Sequence, residues 1–200
     1  MKIGISGGTF DPVHYGHLIA AEEARQQLGL ERVIFIPAGL PPHKTPVSYA
    51  TGLHRYHMVC AAIITNKYFE ASDIEISRPG YTYSIDTLEQ LAGIYGNTVR
   101  FYFITGADVV CELLTWKEYK KIFEMCDFVA VMRPGCDYTD FSSRIEKLRS
   151  LHGANVHTIE SPLIGISSTA IRSMVRCGMS IKYLVPENVE KYIYEHGLYR

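Results

Sequence analysis

Short apolar, β-branched runs alternate along the chain with segments in which apolar residues recur every three or four positions. The runs predict six strands, at Lys2–Ser6, Arg32–Ile36, Phe69–Ser77, Val99–Thr105, Phe128–Met132 and Asn155–Ile159. The periodic segments predict seven helices, at Leu18–Leu28, Leu53–Thr65, Ser84–Tyr95, Lys117–Met125, Phe141–Leu151, Ser168–Arg176 and Pro186–His196. Strands that alternate with helices in this way predict an α/β fold with a doubly wound, parallel sheet.

Sheets of this kind bind ligands at the carboxyl ends of their strands, where the chain turns toward a helix. The informative segments are therefore the turns that follow strands. Four of them carry unusual residues: the turns after Ser6, after Pro37 and after Thr105, and the segment just ahead of Ser168.

Composition narrows the class of protein without identifying a function. The chain has 200 residues, of which 47% are hydrophobic and 20% charged, as in an ordinary globular protein. This predicts one domain over residues 1–200 and excludes a disordered chain, a coiled coil and a collagen-like repeat. The net charge of -1 gives no global electrostatic attraction to nucleic acid or to an anionic membrane, although it leaves room for a local basic pocket.

Several further features favour a soluble, cytoplasmic protein. The amino terminus lacks the apolar stretch of a signal peptide, and no run approaches the roughly 20 apolar residues that span a bilayer. The five cysteines form no CxxC pair and no zinc-ligand spacing with a histidine, which favours reduced thiols that pack as small hydrophobic groups.

The turn after the first strand reads GGTFDPVHYGH, from Gly7 to His17. It matches neither the dinucleotide fingerprint GxGxxG nor the phosphate loop GxxxxGK[ST]. Its two glycines allow the backbone to approach a ligand closely, and the spacing of His14 and His17 puts both rings on one helix face, where they can donate to phosphate oxygens. Taken alone, the two histidines are equally compatible with unrelated surface positions, and less well with a zinc site.

The complete string resembles the signature of the HxGH nucleotidyltransferase superfamily over eleven consecutive positions. The resemblance implies a Rossmann-like fold and the transfer of a nucleoside monophosphate to an acceptor that carries a phosphate. It also implies that this turn binds ATP through Gly7, Gly8, Thr9, Phe10, His14, Gly16 and His17.

The segment ISSTAIR, from Ile166 to Arg172, resembles the second signature of the same superfamily. Ser167 or Ser168 can cap the following helix, whose first amide groups favour an anion, and Arg172 adds a cation on the next turn. The resemblance extends the predicted ATP site to Ile166, Ser167, Ser168 and Arg172.

Four other segments resemble the bacterial nicotinate mononucleotide adenylyltransferases. They are PPHK, ending at Lys44; YTYSIDT, ending at Thr87; Gly106-Ala107-Asp108 followed by Trp116; and the RPG turn at Arg133. Ser84 stands where many members of that family carry threonine. The resemblance implies a mononucleotide site made by Lys44, Ser84, Thr87, Gly106, Asp108, Trp116 and Arg133, with the tryptophan stacked on the pyridine ring.

The implied reaction converts ATP and nicotinate mononucleotide to nicotinate adenine dinucleotide and pyrophosphate. Its nucleophile is a phosphate oxygen that is already ionised, since the second phosphate pKa is about 6, so no general base is needed. The expected catalytic cations are His14, His17, Lys44 and Arg172, with Mg²⁺ carried by the triphosphate and no dedicated protein metal site. Asp11 and Asp108 rank lower, as residues that orient ligands or metal-bound waters.

The sequence leaves three other functions open. The acceptor could be phosphopantetheine or nicotinamide mononucleotide, the chain could be a nucleotide sensor without activity, or the histidines could serve a metal-dependent hydrolase. The expected partners are ATP and nicotinate mononucleotide, without nucleic acid or membrane, and the sequence leaves a homo-oligomer open.

Overall fold

The computed structural model describes residues 1–40, 50–96, 98–110, 112–132, 138–162 and 165–200. Six strands form one sheet: β1 (Lys2–Gly8), β2 (Arg32–Pro37), β3 (Phe69–Ala71), β4 (Arg100–Gly106), β5 (Cys126–Met132) and β6 (Val156–Glu160). Their order across the sheet is β3-β2-β1-β4-β5-β6.

The strand order shows that the sheet is doubly wound. The chain builds outward from β1 to β3, returns to place β4 beside β1, and then builds outward to β6. β4 is parallel to β1, with Ser6 opposite Ile104, and the β4–β5 and β5–β6 pairs are parallel too. The predicted α/β fold is thereby confirmed, and the turn that follows β1 lies at the switch point where such sheets bind ligands.

Eight helices accompany the strands in the described part of the chain. They are α1 (Tyr15–Leu28), α2 (Gly52–Ile63), α3 (Ser84–Tyr95), α4 (Ala107–Val110), α5 (Tyr119–Met125), α6 (Tyr138–His152), α7 (Ser168–Arg176) and α8 (Glu187–Glu195). α3 and α7 have the predicted bounds. The sequence pattern missed α4 and a 3₁₀ turn at Leu113–Thr115, since elements of three or four residues are too short to show a period.

Several predicted boundaries differ from the observed ones; for example, β1 ends at Gly8 rather than Ser6 and β5 begins at Cys126 rather than Phe128. Two of the differences have a local cause. β3 ends at Ala71 rather than Ser77, because the chain then folds into local turns: Ser72 Oγ accepts from the Ile74 amide, and Asp73 O accepts from the Ser77 amide. α1 begins at Tyr15 rather than Leu18. The carbonyl of His14 closes its first turn by accepting from the amides of His17 and Leu18.

The chain divides into two compact units. The first consists of Met1–Ser6, Ala20–Val33 and Tyr83–Leu163, and its core is the β4–β5–β6 part of the sheet, in which every residue of β5 is buried. The second consists of Gly7–Ile19, Ile34–Thr82 and Ile164–Arg200, and in it α2 packs against α8. The single domain predicted over residues 1–200 stays a prediction.

None of the helices within the described ranges is both long enough and apolar enough to cross a membrane.

Candidate active site

The turn after β1 has a tightly packed aromatic ring beneath it. Phe10 is buried and has a positive φ of 51°, a backbone conformation that non-glycine residues rarely adopt. A Cβ on Gly8 would lie 3.3 Å from the Phe10 ring, so glycine lets the main chain lie against it. The Asp11–Pro12 peptide bond is cis. Gly7 is exposed and Thr9 half-buried.

The two histidines of the turn lie against each other. The rings of His14 and His17 stack with centroids 3.7 Å apart and planes inclined by 23°. His17 Nδ1 accepts a hydrogen bond from the backbone amide of His14 at 3.2 Å. That bond assigns the proton of a neutral His17 to Nε2, which is then a donor. His14 is only 6% exposed, while His17 is half-buried and makes a T-shaped contact with the Phe10 ring, with centroids 5.0 Å apart.

The glycine between the histidines has a packing reason. A Cβ on Gly16 would lie 3.0 Å from His14 Nδ1 and 3.1 Å from Cε1 of the same ring. It would also lie 3.9 Å from the carbonyl oxygen of Ile166, which places the two motifs side by side. The His14 ring can therefore occupy this place only beside a residue without a side chain.

The start of α7 is joined directly to the turn. Ser168 Oγ donates to the carbonyl of Pro12 at 2.9 Å, and Arg172 Nη1 donates to the carbonyl of Asp11 at 2.7 Å. Ser167 caps α7 by accepting from the amide of Ala170 at 3.2 Å. The two predicted ATP-binding segments, about 150 residues apart in sequence, are thus brought together inside the second unit.

This arrangement leaves donors at the start of α7. Ser168 and Thr169 occupy its first two positions, where backbone amides have no acceptor within the helix and favour an anion. Arg172 is half-buried and also donates to Thr169 Oγ1 at 3.2 Å. Arg172 therefore braces the turn, and its predicted role as a cation for phosphate stays a prediction.

Arg55 is a residue of the site that sequence reasoning missed. Its side chain is 3% exposed, and its two terminal nitrogens donate to the carbonyls of Thr9 at 2.7 Å and Ala38 at 2.6 Å. Burial lowers the pKa of Arg55, and the nearby Asp11 opposes that shift. A signal was present, since Arg55 interrupts the apolar stripe of α2 that contains Met58 and Val59.

Tyr199 is a second residue that the sequence did not single out. Its hydroxyl donates to Asp11 Oδ1 at 2.6 Å and lies 3.9 Å from Met58 Sδ. Burial raises the pKa of Tyr199, and the hydrogen bond to Asp11 raises it further. Asp11 is only 3% exposed, so its carboxylate is a buried acceptor rather than a group presented to solvent.

The described residues that were predicted to bind the acceptor lie in the first unit. Ser84 begins α3 and is half-buried. Thr87 is buried, and its hydroxyl donates back to the carbonyl of Tyr83 at 3.3 Å, which holds the first turn of α3. Lys117 Nζ lies 3.6 Å from Asp86 Oδ1 and 4.3 Å from the Tyr83 ring centroid, so the segment around Trp116 is next to this turn.

Trp116 is half-buried and makes T-shaped ring contacts with the core of the first unit. Its ring meets Phe103 at 5.5 Å and Phe128 at 6.1 Å between centroids, both in edge contacts. Its backbone amide donates to the carbonyl of Leu113 at 3.1 Å, which closes the 3₁₀ turn. Gly106 ends β4, and a Cβ there would lie 3.8 Å from Oδ2 of the exposed Asp108.

Two predicted site residues, Lys44 and Arg133, lie outside the described residues. Within the ranges that are described, no group of three or more histidine, cysteine or carboxylate side chains is arranged to hold a metal ion.

The chain is similar to known proteins over most or all of its length. The model of the Cytidylyltransferase-like family matches residues 5–174. A probable nicotinate-nucleotide adenylyltransferase of Thermoanaerobacter sp. (strain X514) is 49% identical over 200 residues, covering 100% of this chain and 95% of the relative. The corresponding protein of Moorella thermoacetica is 45% identical over 199 residues, covering 100% and 92%.

Solved structures show the same fold. A nicotinic acid mononucleotide adenylyltransferase of Plasmodium falciparum, complexed with NaAD, matches with a TM-score of 0.79 at 23% identity, covering 99% of this chain and 97% of that one. The same protein complexed with APC matches with a TM-score of 0.77.

Proposed function

The chain belongs to the nicotinate-nucleotide adenylyltransferases of the Cytidylyltransferase-like family, and from this membership we propose how its own residues perform the reaction. The family resemblance noted from the motifs is confirmed by relatives that match over the whole chain. The enzyme transfers the adenylyl group of ATP to nicotinate mononucleotide and releases pyrophosphate.

ATP is held by the turn after β1 and by the start of α7. The observation that carries this proposal is the direct join between them, through Ser168 Oγ to Pro12 O and Arg172 Nη1 to Asp11 O. His17 Nε2 donates to the phosphates, and the first amides of α7 bind the same anion. Gly7, Gly8, Thr9 and Phe10 bring the backbone close to the nucleotide. His14, which the sequence predicted as a phosphate donor in its own right, is only 6% exposed, so we assign it the support of His17 by stacking.

Nicotinate mononucleotide is held by the segments of the first unit and by two residues outside the described ranges. Trp116 stacks its indole on the pyridine ring. The T-shaped contacts with Phe103 and Phe128 hold the half-buried indole in place for this role. Gly106, Asp108, Ser84 and Thr87 form or support the surroundings of the nucleotide. Lys44 and Arg133 supply cations for its phosphate.

Catalysis follows from positioning and charge stabilisation. The mononucleotide phosphate is an ionised nucleophile at neutral pH, since its second pKa is about 6, and it attacks the α-phosphorus of ATP as pyrophosphate leaves. Two anions repel unless cations and aligned donors lie around them. His17, Lys44 and Arg172 supply these charges and donors, with His14 holding His17 in place, so no proton needs to be abstracted.

We infer that Mg²⁺ is the divalent metal and that it arrives bound to the triphosphate. A hard cation of this kind keeps several waters and takes phosphate oxygens as ligands. The site fits this role, because its nearest carboxylate, Asp11, is buried and already accepts a hydrogen bond from Tyr199. The phosphate oxygens are then the ligands that hold the metal. When bound, Mg²⁺ neutralises charge on the phosphates.

The experiment that tests the proposal measures pyrophosphate release from ATP with Mg²⁺ and each of several acceptors. We expect rapid release with nicotinate mononucleotide, slower release with its amide, and background release with phosphopantetheine or with water alone. Faster release with phosphopantetheine than with either pyridine nucleotide would contradict the acceptor assignment.

The same assay separates the other two functions. A nucleotide sensor would bind ATP without acceptor-dependent release of pyrophosphate. A metal-dependent hydrolase would release product in the absence of any acceptor. Mass spectrometry of the product completes the assay, since adenylyl transfer yields a dinucleotide and hydrolysis yields a mononucleotide.

A further inference from the structure

Two buried polar side chains that belong to neither ATP-binding motif converge on the turn after β1. Arg55 comes from α2, and Tyr199 is the penultimate residue of the chain. Arg55 reaches the carbonyl of Thr9, and Tyr199 reaches the carboxylate of Asp11. Neither residue belongs to the groups that are proposed to contact ATP.

The hydrogen bonds hold the turn by its acceptor groups. The carbonyl of Gly8 accepts from the amide of Ala38 at 2.8 Å, and the carbonyl of Thr9 accepts from Arg55 at 2.7 Å. In a planar trans peptide the C=O and the following N–H point in opposite directions. Fixing these two carbonyls therefore aims the amides of Thr9 and Phe10 away from Ala38 and Arg55.

The Asp11 side of the turn is fixed in a complementary way. Tyr199 donates to the Asp11 carboxylate, while Arg172 donates to the Asp11 carbonyl. Asp11 therefore connects Tyr199 to Arg172, which is predicted to bind phosphate. Phe10 lies between the two fixed points and keeps its positive φ of 51°. Such a conformation persists when the surroundings over-determine it.

The burial of charge at this place also argues for a role beyond packing. A guanidinium that is 3% exposed loses most of its hydration, which is costly unless hydrogen bonds and an opposite charge replace it. Arg55 donates to two carbonyls, and the negative charge of Asp11 opposes the lowering of the Arg55 pKa by burial. An apolar residue would fill the same place on α2 at lower cost but could not orient the Thr9 carbonyl.

We propose that Tyr199 and Arg55 are positioning residues of the adenylyl-transfer reaction, which orient the amides of Thr9 and Phe10 and the Arg172 guanidinium for the triphosphate. The inference rests on the proposed function for its kinetic consequences. Neither residue contacts substrate. Each acts through the turn, so the affinity for ATP depends on them and the affinity for the acceptor does not.

The test uses Tyr199→Phe, which removes one hydroxyl and keeps the buried ring, beside Tyr194→Phe, which removes an exposed hydroxyl from α8. We expect Tyr199→Phe to weaken ATP binding by about tenfold, measured by calorimetry without acceptor. The reason is that the turn loses its hydrogen bond between Tyr199 and the charged Asp11 carboxylate and is no longer held in its binding conformation. The KM for ATP rises to match, the KM for nicotinate mononucleotide is unchanged, and Tyr194→Phe binds ATP as the wild type does.

Arg55→Lys provides the second variant, since it keeps a charge but replaces the planar fork that donates from two nitrogens by a single ammonium nitrogen. It should weaken ATP binding less than Arg55→Met, and thermal unfolding of all variants shows which of them are folded at the assay temperature. Equal ATP affinity in Tyr199→Phe and wild type, or equal increases in both KM values, would overturn the inference.

The two proposals fail in different ways. If the wild type binds ATP but releases no pyrophosphate with nicotinate mononucleotide, the function is wrong and the calorimetric comparison still judges the positioning role. If the wild type binds no ATP, both proposals are wrong.

Discussion

The Nδ1 atom of His17 accepts a hydrogen bond from the backbone amide of His14, and the two rings stack with centroids 3.7 Å apart. The two histidines therefore act together, since the main chain of His14 orients the ring of His17. Because Nδ1 is occupied, Nε2 is the atom of His17 that can donate to a developing negative charge.

Replacement of this donor tests its role in the reaction. We expect His17→Ala to lower kcat by about 10² or more, the scale of losing one preorganised electrostatic donor, while the fold remains intact. His152→Ala, at the end of α6 in the first unit, is the matched control and should retain wild-type kcat. A near-normal kcat in His17→Ala, measured as pyrophosphate release, would remove His17 from the catalytic group.

Gly16 and Gly93 offer a matched pair of glycine substitutions. A Cβ on Gly16 meets the His14 ring at 3.0 Å, whereas a Cβ on Gly93, in the exposed part of α3, meets nothing within 4 Å. Gly16→Ala should displace the ring and lower kcat by about 10- to 100-fold, the effect of a small misplacement in a site. Gly93→Ala should leave kcat unchanged and raise the free energy of unfolding by about 0.4–1 kcal/mol.

Chemical denaturation and steady-state kinetics on the same preparations check both glycine variants. Unchanged kcat in Gly16→Ala would show that His14 can move without consequence for the reaction.

The stacking role of Trp116 predicts an effect on one substrate only. Trp116→Ala should raise the KM for nicotinate mononucleotide by about tenfold or more, since stacking on a base contributes roughly 1–3 kcal/mol, and should leave the KM for ATP nearly unchanged. Trp116→Phe keeps a flat ring, so its KM for nicotinate mononucleotide should lie between those of the wild type and Trp116→Ala. If both KM values rise equally in Trp116→Ala, the residue supports the fold rather than the pyridine ring.

Asp127 predicts a dependence of stability on pH. Its carboxylate is 5% exposed and accepts from Arg100 and from His157 Nε2, the latter at 3.3 Å. Burial would raise the pKa of Asp127, but the hydrogen bonds from Arg100 and His157 outweigh it and hold that pKa below its ordinary value of 3.8. The ionised group therefore stabilises the fold above about pH 4, and this stabilisation is lost as pH falls through the lowered pKa.

The variant Asp127→Asn isolates this contribution. It should reduce the free energy of unfolding at pH 7 by about 1.5–3 kcal/mol, the range for hydrogen bonds to charged groups, and the difference from wild type should shrink below pH 4. Denaturation measured from pH 3 to pH 7 checks this, and a difference that stays constant over that range would contradict it.

Sequence reasoning succeeded where the physical signal is local. The bounds of α3 and α7 followed from periodicity, and a cap at Ser167 or Ser168 could be recognised because a capping side chain acts only three residues away, here from Ser167 to the amide of Ala170. The strand after Phe69 was overextended, because Ser72 and Asp73 bond to nearby amides and end it in a way that apolar content does not reveal.

By itself, the sequence determined the α/β class, the HxGH and ISST turns, and the family to which the chain belongs. Those features depend on periods of two or about four residues, or on contiguous motifs, so neighbouring residues contain the information. Only the tertiary structure decided that Ser168 and Arg172 bond to the carbonyls of Pro12 and Asp11, and that Arg55 and Tyr199 lie beneath the same turn. Contacts between residues 46 to 188 positions apart depend on how helices and strands pack, and a linear pattern does not encode that packing residue by residue.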